Sequence, residues 1–86
     1  MNNENTKRIL ADNVRILRTK KRFSQEAVAE LACIGQNQIS EIENEHANPS
    51  LETIIRIANA FDVRVSDLFI WYNWTLEMEI TSAKNL

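Results

Sequence analysis

Apolar residues recur at helical spacing along most of this chain, and the breaks between the repeats mark where each helix stops. Leu10, Val14 and Leu17 stand at i, i+4 and i+7, which predicts a first helix from about Thr6 to Lys20 with one apolar stripe and its cations outward. Ser24 is a good N-cap and Glu26 suits the positive end of a helix dipole. A second helix therefore starts there, buries Val28 and Leu31, and ends near Ala32. Ile39 and Ile42 supply the inner face of a third helix that begins at about Gly35. Asn48-Pro49-Ser50 breaks the chain and caps a fourth, whose Leu51, Ile54, Ile57, Ala58 and Phe61 form the widest stripe. After Val63 and Val65, Ser66 opens a fifth turn or helix. The pattern predicts an all-α domain of five helices over residues 1–69.

The pattern changes in residues 70–86. "WTLEMEIT" alternates apolar Trp74, Leu76, Met78 and Ile80 with Thr75, Glu77, Glu79 and Thr81, the period of a half-buried strand. A lone strand on a helical domain would leave its edge amides and carbonyls unpaired. The expectation is that two copies pair antiparallel across a two-fold axis. Phe69, Ile70, Trp71 and Tyr72 would complete that homodimer seam with Trp74, Leu76, Met78 and Ile80. The other reading continues the fifth helix, since Leu68, Trp71 and Tyr72 also share a helical face.

With 86 residues, one glycine, one proline and 44% hydrophobic residues, the chain reads as one compact helical domain. Its single cysteine, Cys33, excludes an internal disulfide and suggests a reducing compartment. The start shows no secretory signal pattern, and the longest apolar run, Leu68 to Tyr72, is far shorter than the ~20 residues that span a bilayer. A cytoplasmic protein without a membrane partner is expected. The net charge of −2 hides an asymmetry. Residues 1–40 carry seven Lys or Arg against four Asp or Glu, and residues 41–86 carry three against eight. Arg15, Arg18, Lys20, Lys21 and Arg22 crowd the end of the first helix, either as a solvated helix end or as a phosphate-facing patch.

Helices two and three are separated by only about three residues, and Ala29 keeps the middle of helix two small enough for a close crossing. This is the arrangement of a helix-turn-helix, whose second helix projects its N-terminal residues into the major groove of DNA. The segments "SQEAVAELA", "IGQNQISEIEN" and "NPSLETIIRIANAFDVRVSDLF" follow one another in order. Over residues 10–69 the chain resembles the lambda repressor-like family of Cro, cI and Xre-type regulators.

The amides Gln36, Asn37 and Gln38 then acquire a physical reading. A carboxamide presents a donor beside an acceptor, matching N6 and N7 of adenine. The resemblance implies that Gln36 contacts a base and that Gln25 bonds a phosphate and steadies Gln36. It further implies base or nearby phosphate contacts for Asn37 and Gln38, a possible cytosine acceptor in Glu41, and phosphate-side groups in Ser40 and Asn44. Arg18 and Glu43 match a pair that bridges the first and third helices in this family. By charge alone Arg15, Lys20, Lys21 and Arg22 are the phosphate candidates, Lys21 foremost. The resemblance thus implies a DNA-binding transcriptional regulator, a repressor in its commoner mode, bound as a homodimer to a palindromic operator.

Two residues depart from the family pattern. Cys33 stands in the turn where glycine is usual, and Glu45 replaces the glycine that commonly follows "EN". Left-handed backbone at either would cost on the order of 1 kcal/mol relative to glycine. His46 reads as a solvated loop residue. Without a Cys, His and carboxylate set no metal site is expected, and no cofactor motif is present. One histidine, no Gly-rich phosphate loop and no nucleophile elbow argue against an enzyme. The second reading is an antitoxin or adaptor that keeps the helix-turn-helix and mainly binds a partner protein.

Overall fold

A computed structural model describes residues 3–70. It is all-helical in these residues: α1 Asn3–Lys20, α2 Gln25–Ala32, α3 Gln36–Glu43, α4 Leu51–Phe61, then a 3-10 helix Val65–Phe69. The first helix starts ahead of the expected Thr6, and the fifth element is a 3-10 turn that opens one residue before Ser66. The strand expected at residues 74–81 lies outside the described residues.

The core gathers one stripe from each helix. Leu10, Val14 and Leu17 of α1 meet Val28, Ala29 and Ala32 of α2, Ile39 and Ile42 of α3, Ile57, Ala58 and Phe61 of α4, and Leu68. Two expected core residues are not there: Leu31 is 56% exposed and Leu51 67%. The inner face of α2 is centred between Val28, Ala29 and Ala32, and Leu31 lies roughly 100° round the helix from that centre. Leu51 is the first residue of α4, ahead of the turns that reach the core.

All four α-helices stop in the same way. Phe23, Ile34, His46 and Val63 donate their backbone N–H to the carbonyls of Arg18, Ala29, Glu41 and Ala58, each five residues back. The residues just before them, Arg22, Cys33, Glu45 and Asp62, have positive φ of 59°, 58°, 64° and 58°. These are Schellman stops in which no left-handed position is glycine. Each non-glycine residue costs about 1–2 kcal/mol there. Burial of the residue that follows offsets this at three of the four: Phe23, Ile34 and Val63 pack against the core. The lone glycine, Gly35, has φ −72° and caps the start of α3.

A buried amide joins the two ends of the domain. Asn13 is fully buried in α1, and its Nδ2 donates to the carbonyls of Leu68 and Ile70, both at 2.7 Å. Its Oδ1 accepts no hydrogen bond among the described residues. The reversed amide would set an oxygen against two carbonyl oxygens, so the orientation is determined by the acceptors it faces. The 3-10 helix also begins on a polar clasp. The backbone N–H and guanidinium of Arg64 donate to Asp67, and these bonds hold its carboxyl below the usual carboxylate range.

Candidate nucleic-acid interface

Helices α2 and α3 pack against each other with Ala29 buried in the core, joined by Cys33, Ile34 and Gly35. Helix α2 begins on a side-chain cap, Ser24 Oγ accepting from the N–H of Ala27 at 3.0 Å, and Ser50 caps α4 in the same way at 3.2 Å. Helix α3 begins on Gly35, which has no side chain to offer. Its first backbone N–H groups therefore face outward and carry the positive end of the helix dipole. A Cβ on Gly35 would meet no atom within 4 Å, so internal packing does not demand glycine there.

The outer face of α3 is amide-rich and uncharged at its start. Gln36, Asn37 and Gln38 are exposed, as are Glu41 and Asn44, while Ser40 is half-buried. Ile39 and Ile42 anchor the opposite face in the core. Gln38 is already partly engaged, because its Oε1 accepts from the N–H of Gly35 at 3.1 Å. Oε1 keeps a second lone pair, so a two-point reading of adenine by Gln38 would share that oxygen with the cap. At the far end of the helix the Asn44 amide reaches Ser40 Oγ at 3.5 Å. A shallow recess beside α3 is lined by Gln38, Glu41, His46, Asn48 and Thr53.

Behind this face Glu43 is a buried junction. Its carboxylate accepts from Arg18 Nε at 2.7 Å, Arg18 Nη2 at 3.1 Å and Gln25 Nε2 at 3.3 Å. Arg18 also donates to the carbonyl of Phe23 at 3.1 Å, so one guanidinium ties α1, the turn after it, and α3. The hydrogen bond it donates to Glu43 raises the Arg18 pKa further above its already high value, which keeps the guanidinium permanently charged. Gln25 reaches α3 through Glu43, within one hydrogen-bonded set with Arg18.

Of the cations at the end of α1, Arg15 is 47% exposed and also bonds within the protein. Its guanidinium donates to the backbone carbonyl of Glu43 and to Asp12, placing positive charge at the C-terminal, negative end of α3. Lys21 and Arg22 are exposed in the turn that leads to α2. Of the expected dimer residues, Phe69 packs partly against the core and Ile70 is 49% exposed. Trp71, Tyr72, Trp74, Leu76, Met78 and Ile80 lie outside the described residues. Among the described residues no group of His, Cys, Asp and Glu is arranged to hold a metal ion, and no helix is long and apolar enough to cross a membrane.

Sequence reasoning passed over Asn13 and the cap made by Arg15. A signal for Asn13 was present, since it stands at i+3 between Leu10 and Val14, within the apolar stripe. For Arg15 there was none, because its acceptor lies 28 residues away.

Comparison with known proteins agrees with this geometry. The family model described as Helix-turn-helix, HTH_3, matches residues 14–68. Control protein C.SmaI of Serratia marcescens is 37% identical over 62 residues, 72% of this chain and 74% of that protein. The crystal structure of the restriction-modification controller protein C.AhdI from Aeromonas hydrophila superposes with a TM-score of 0.71 at 32% identity, covering 73% of this chain and 96% of that one. A hypothetical transcription factor from Neisseria, NHTF, gives a TM-score of 0.77 at 27% identity, with 85% and 84% covered.

Proposed function

This chain belongs to the HTH_3 helix-turn-helix family of DNA-binding transcription regulators, which are not enzymes, and we propose that it is a sequence-specific controller that binds a palindromic operator as a homodimer. The observation that carries the proposal is the start of α3. Exposed Gln36 and Asn37 stand on a helix end without a side-chain cap, while Ile39, Ile42 and the Arg18–Glu43 pair hold the helix rigidly from behind. Rigid placement is what base reading requires, because a carboxamide discriminates adenine only when both its atoms meet N6 and N7 in plane.

In this reading Gln36 reads a base, with Asn37 beside it. Gln38 contacts a base edge or nearby phosphate, Glu41 accepts from cytosine N4, and Ser40 and Asn44 lie toward the backbone. Lys21 and Gln25 meet phosphates at the margin of the groove. Residues 1–69 form the DNA-binding domain and residues 70–86 the dimerising extension, setting two α3 helices about 34 Å apart on one face of the duplex. The usual outcome is repression, by occlusion of polymerase in the cytoplasm. The description of C.AhdI as a restriction-modification controller protein supports a further specification, that the genes controlled are those of a restriction-modification system.

The test compares two variants on single-base operator variants by fluorescence anisotropy. Gln36→Ala should lose roughly 1–3 kcal/mol of discrimination at one base pair of each half-site. Lys21→Ala should weaken every sequence about equally and reduce the log-log salt slope by about 0.9. Full retention of base preference by Gln36→Ala would refute the assignment of α3.

A further inference from the structure

We propose that Arg15 is a positioning residue for base reading: from α1 it closes the C-terminal end of α3 and so holds Gln36, at the other end of that helix, in register with its base pair. The proposal rests on the reading of α3 as the recognition helix given above. An α-helix leaves its last four carbonyls without an intrahelical partner. In α3 these belong to Ser40, Glu41, Ile42 and Glu43, and the turn that follows satisfies the first three with the backbone N–H groups of Asn44, His46 and Glu45. The Glu43 carbonyl receives no backbone N–H among the described residues. Arg15 Nη2 donates to it instead, from 28 residues away.

This helix end needs the contact more than the other three do. Its stop puts Glu45 at φ 64°, and the residue behind it is the exposed His46, which brings no apolar burial to offset the left-handed angle. The last turn of α3 has no cation of its own, while Glu43 and Glu45 add negative charge at the negative end of the dipole. Arg15 supplies the missing positive charge from a neighbouring helix. Asp12, one turn earlier on α1, accepts from its Nη1 at 3.4 Å and steadies the guanidinium.

Arg18 does not make this contact redundant. It grips the Glu43 carboxylate, at the end of a flexible stem, whereas Arg15 grips the peptide itself. The core contacts of Ile39 and Ile42 are apolar and non-directional, so they leave a tilt of the helix open. Ile39 lies about 4.5 Å along the axis from Gln36 and about 6 Å from Glu43. A shift of about 1 Å at Glu43 that pivots there moves Gln36 by about 0.75 Å, more than the roughly 0.5 Å range of hydrogen-bond distances. Arg15 remains 47% exposed, so the rival role is a direct phosphate contact.

The test uses the full-length chain with Arg15→Met, which keeps the stem and removes the guanidinium. Affinity is measured by fluorescence anisotropy on the preferred operator and its single-base variants at several salt concentrations. The base pair of Gln36 is the one where Gln36→Ala loses discrimination. Arg15→Met should remain helical by circular dichroism, lose at least about 3-fold of discrimination at that base pair, and keep its log-log salt slope within about 0.3 of wild type. Lost stability alone would weaken every sequence by one factor and leave the discrimination ratio unchanged. Where Arg15→Met does not fold, Arg15→Met combined with Glu45→Gly is compared with Glu45→Gly alone, since glycine relieves the left-handed angle at the same helix end. An unchanged ratio, or a slope reduced by about 0.9 per bound copy, overturns the proposal. A wild-type protein without base preference, or one whose preference survives Gln36→Ala, would instead overturn the reading of α3, and the role of Arg15 with it.

Discussion

Replacing Glu43 with glutamine keeps the volume of the side chain and removes its charge. The carboxylate it replaces is 5% exposed and accepts two bonds from Arg18 and one from Gln25. The new amide can present oxygen to only one side, so at least one existing donor would face an NH2 group. Removing one member of a buried ion pair costs about 3–5 kcal/mol, and each charge-assisted bond contributes about 1.5–3. The Arg18 side chain is 22% exposed and water partly solvates it, which argues for a loss at or just below that range, about 2–3 kcal/mol. A small domain has a total stability of about 5–15 kcal/mol, and each kcal/mol shifts Tm by about 4–8 °C. Glu43→Gln should therefore lower Tm by roughly 10–20 °C in a circular-dichroism melt at neutral pH. Combined with Arg18→Met, the loss should be smaller than the sum of the two single losses by at least ~1 kcal/mol. A fall in Tm below about 3 °C would refute the view that this junction holds α3 in place.

Cys33→Gly should stabilise the protein by about 0.5–1 kcal/mol in urea denaturation, because relief of the left-handed angle at φ 58° outweighs the added freedom of glycine in the unfolded chain. Deleting residues 74–86 should leave a folded domain that sediments as a monomer and binds the palindrome much more weakly, since each half-site must then be found separately. A tight dimer after that truncation would place the interface within residues 1–73.

Helices α2, α3 and α4 were legible because local signals coincide there. A serine cap opens α2 and α4, apolar residues recur at i+3 and i+4, and proline ends the run before α4. Signals of that kind report only on neighbours in sequence. They could not show that Leu31 faces solvent, which depends on where α4 and α3 lie against α2. The family resemblance marked Cys33 and Glu45 as strained positions through the missing glycines, yet Arg22 and Asp62 were passed over, and their left-handed angles accompany burial of Phe23 and Val63 behind them. The same limit applies to the interface. The amide run at residues 36–38 was visible as a row of candidates, but only the fold shows that Gln38 has lent its oxygen to Gly35 and that Arg15 is occupied by the end of α3.

The most direct measurement of the central claim is selection of bound sites from a random DNA pool with the full-length protein. The account predicts enrichment of a palindrome whose half-sites are centred about one helical turn apart, with Gln36→Ala losing enrichment at one base pair of each half-site. Recovery of no enriched motif, or of one whose every position is unchanged by Gln36→Ala, would contradict it.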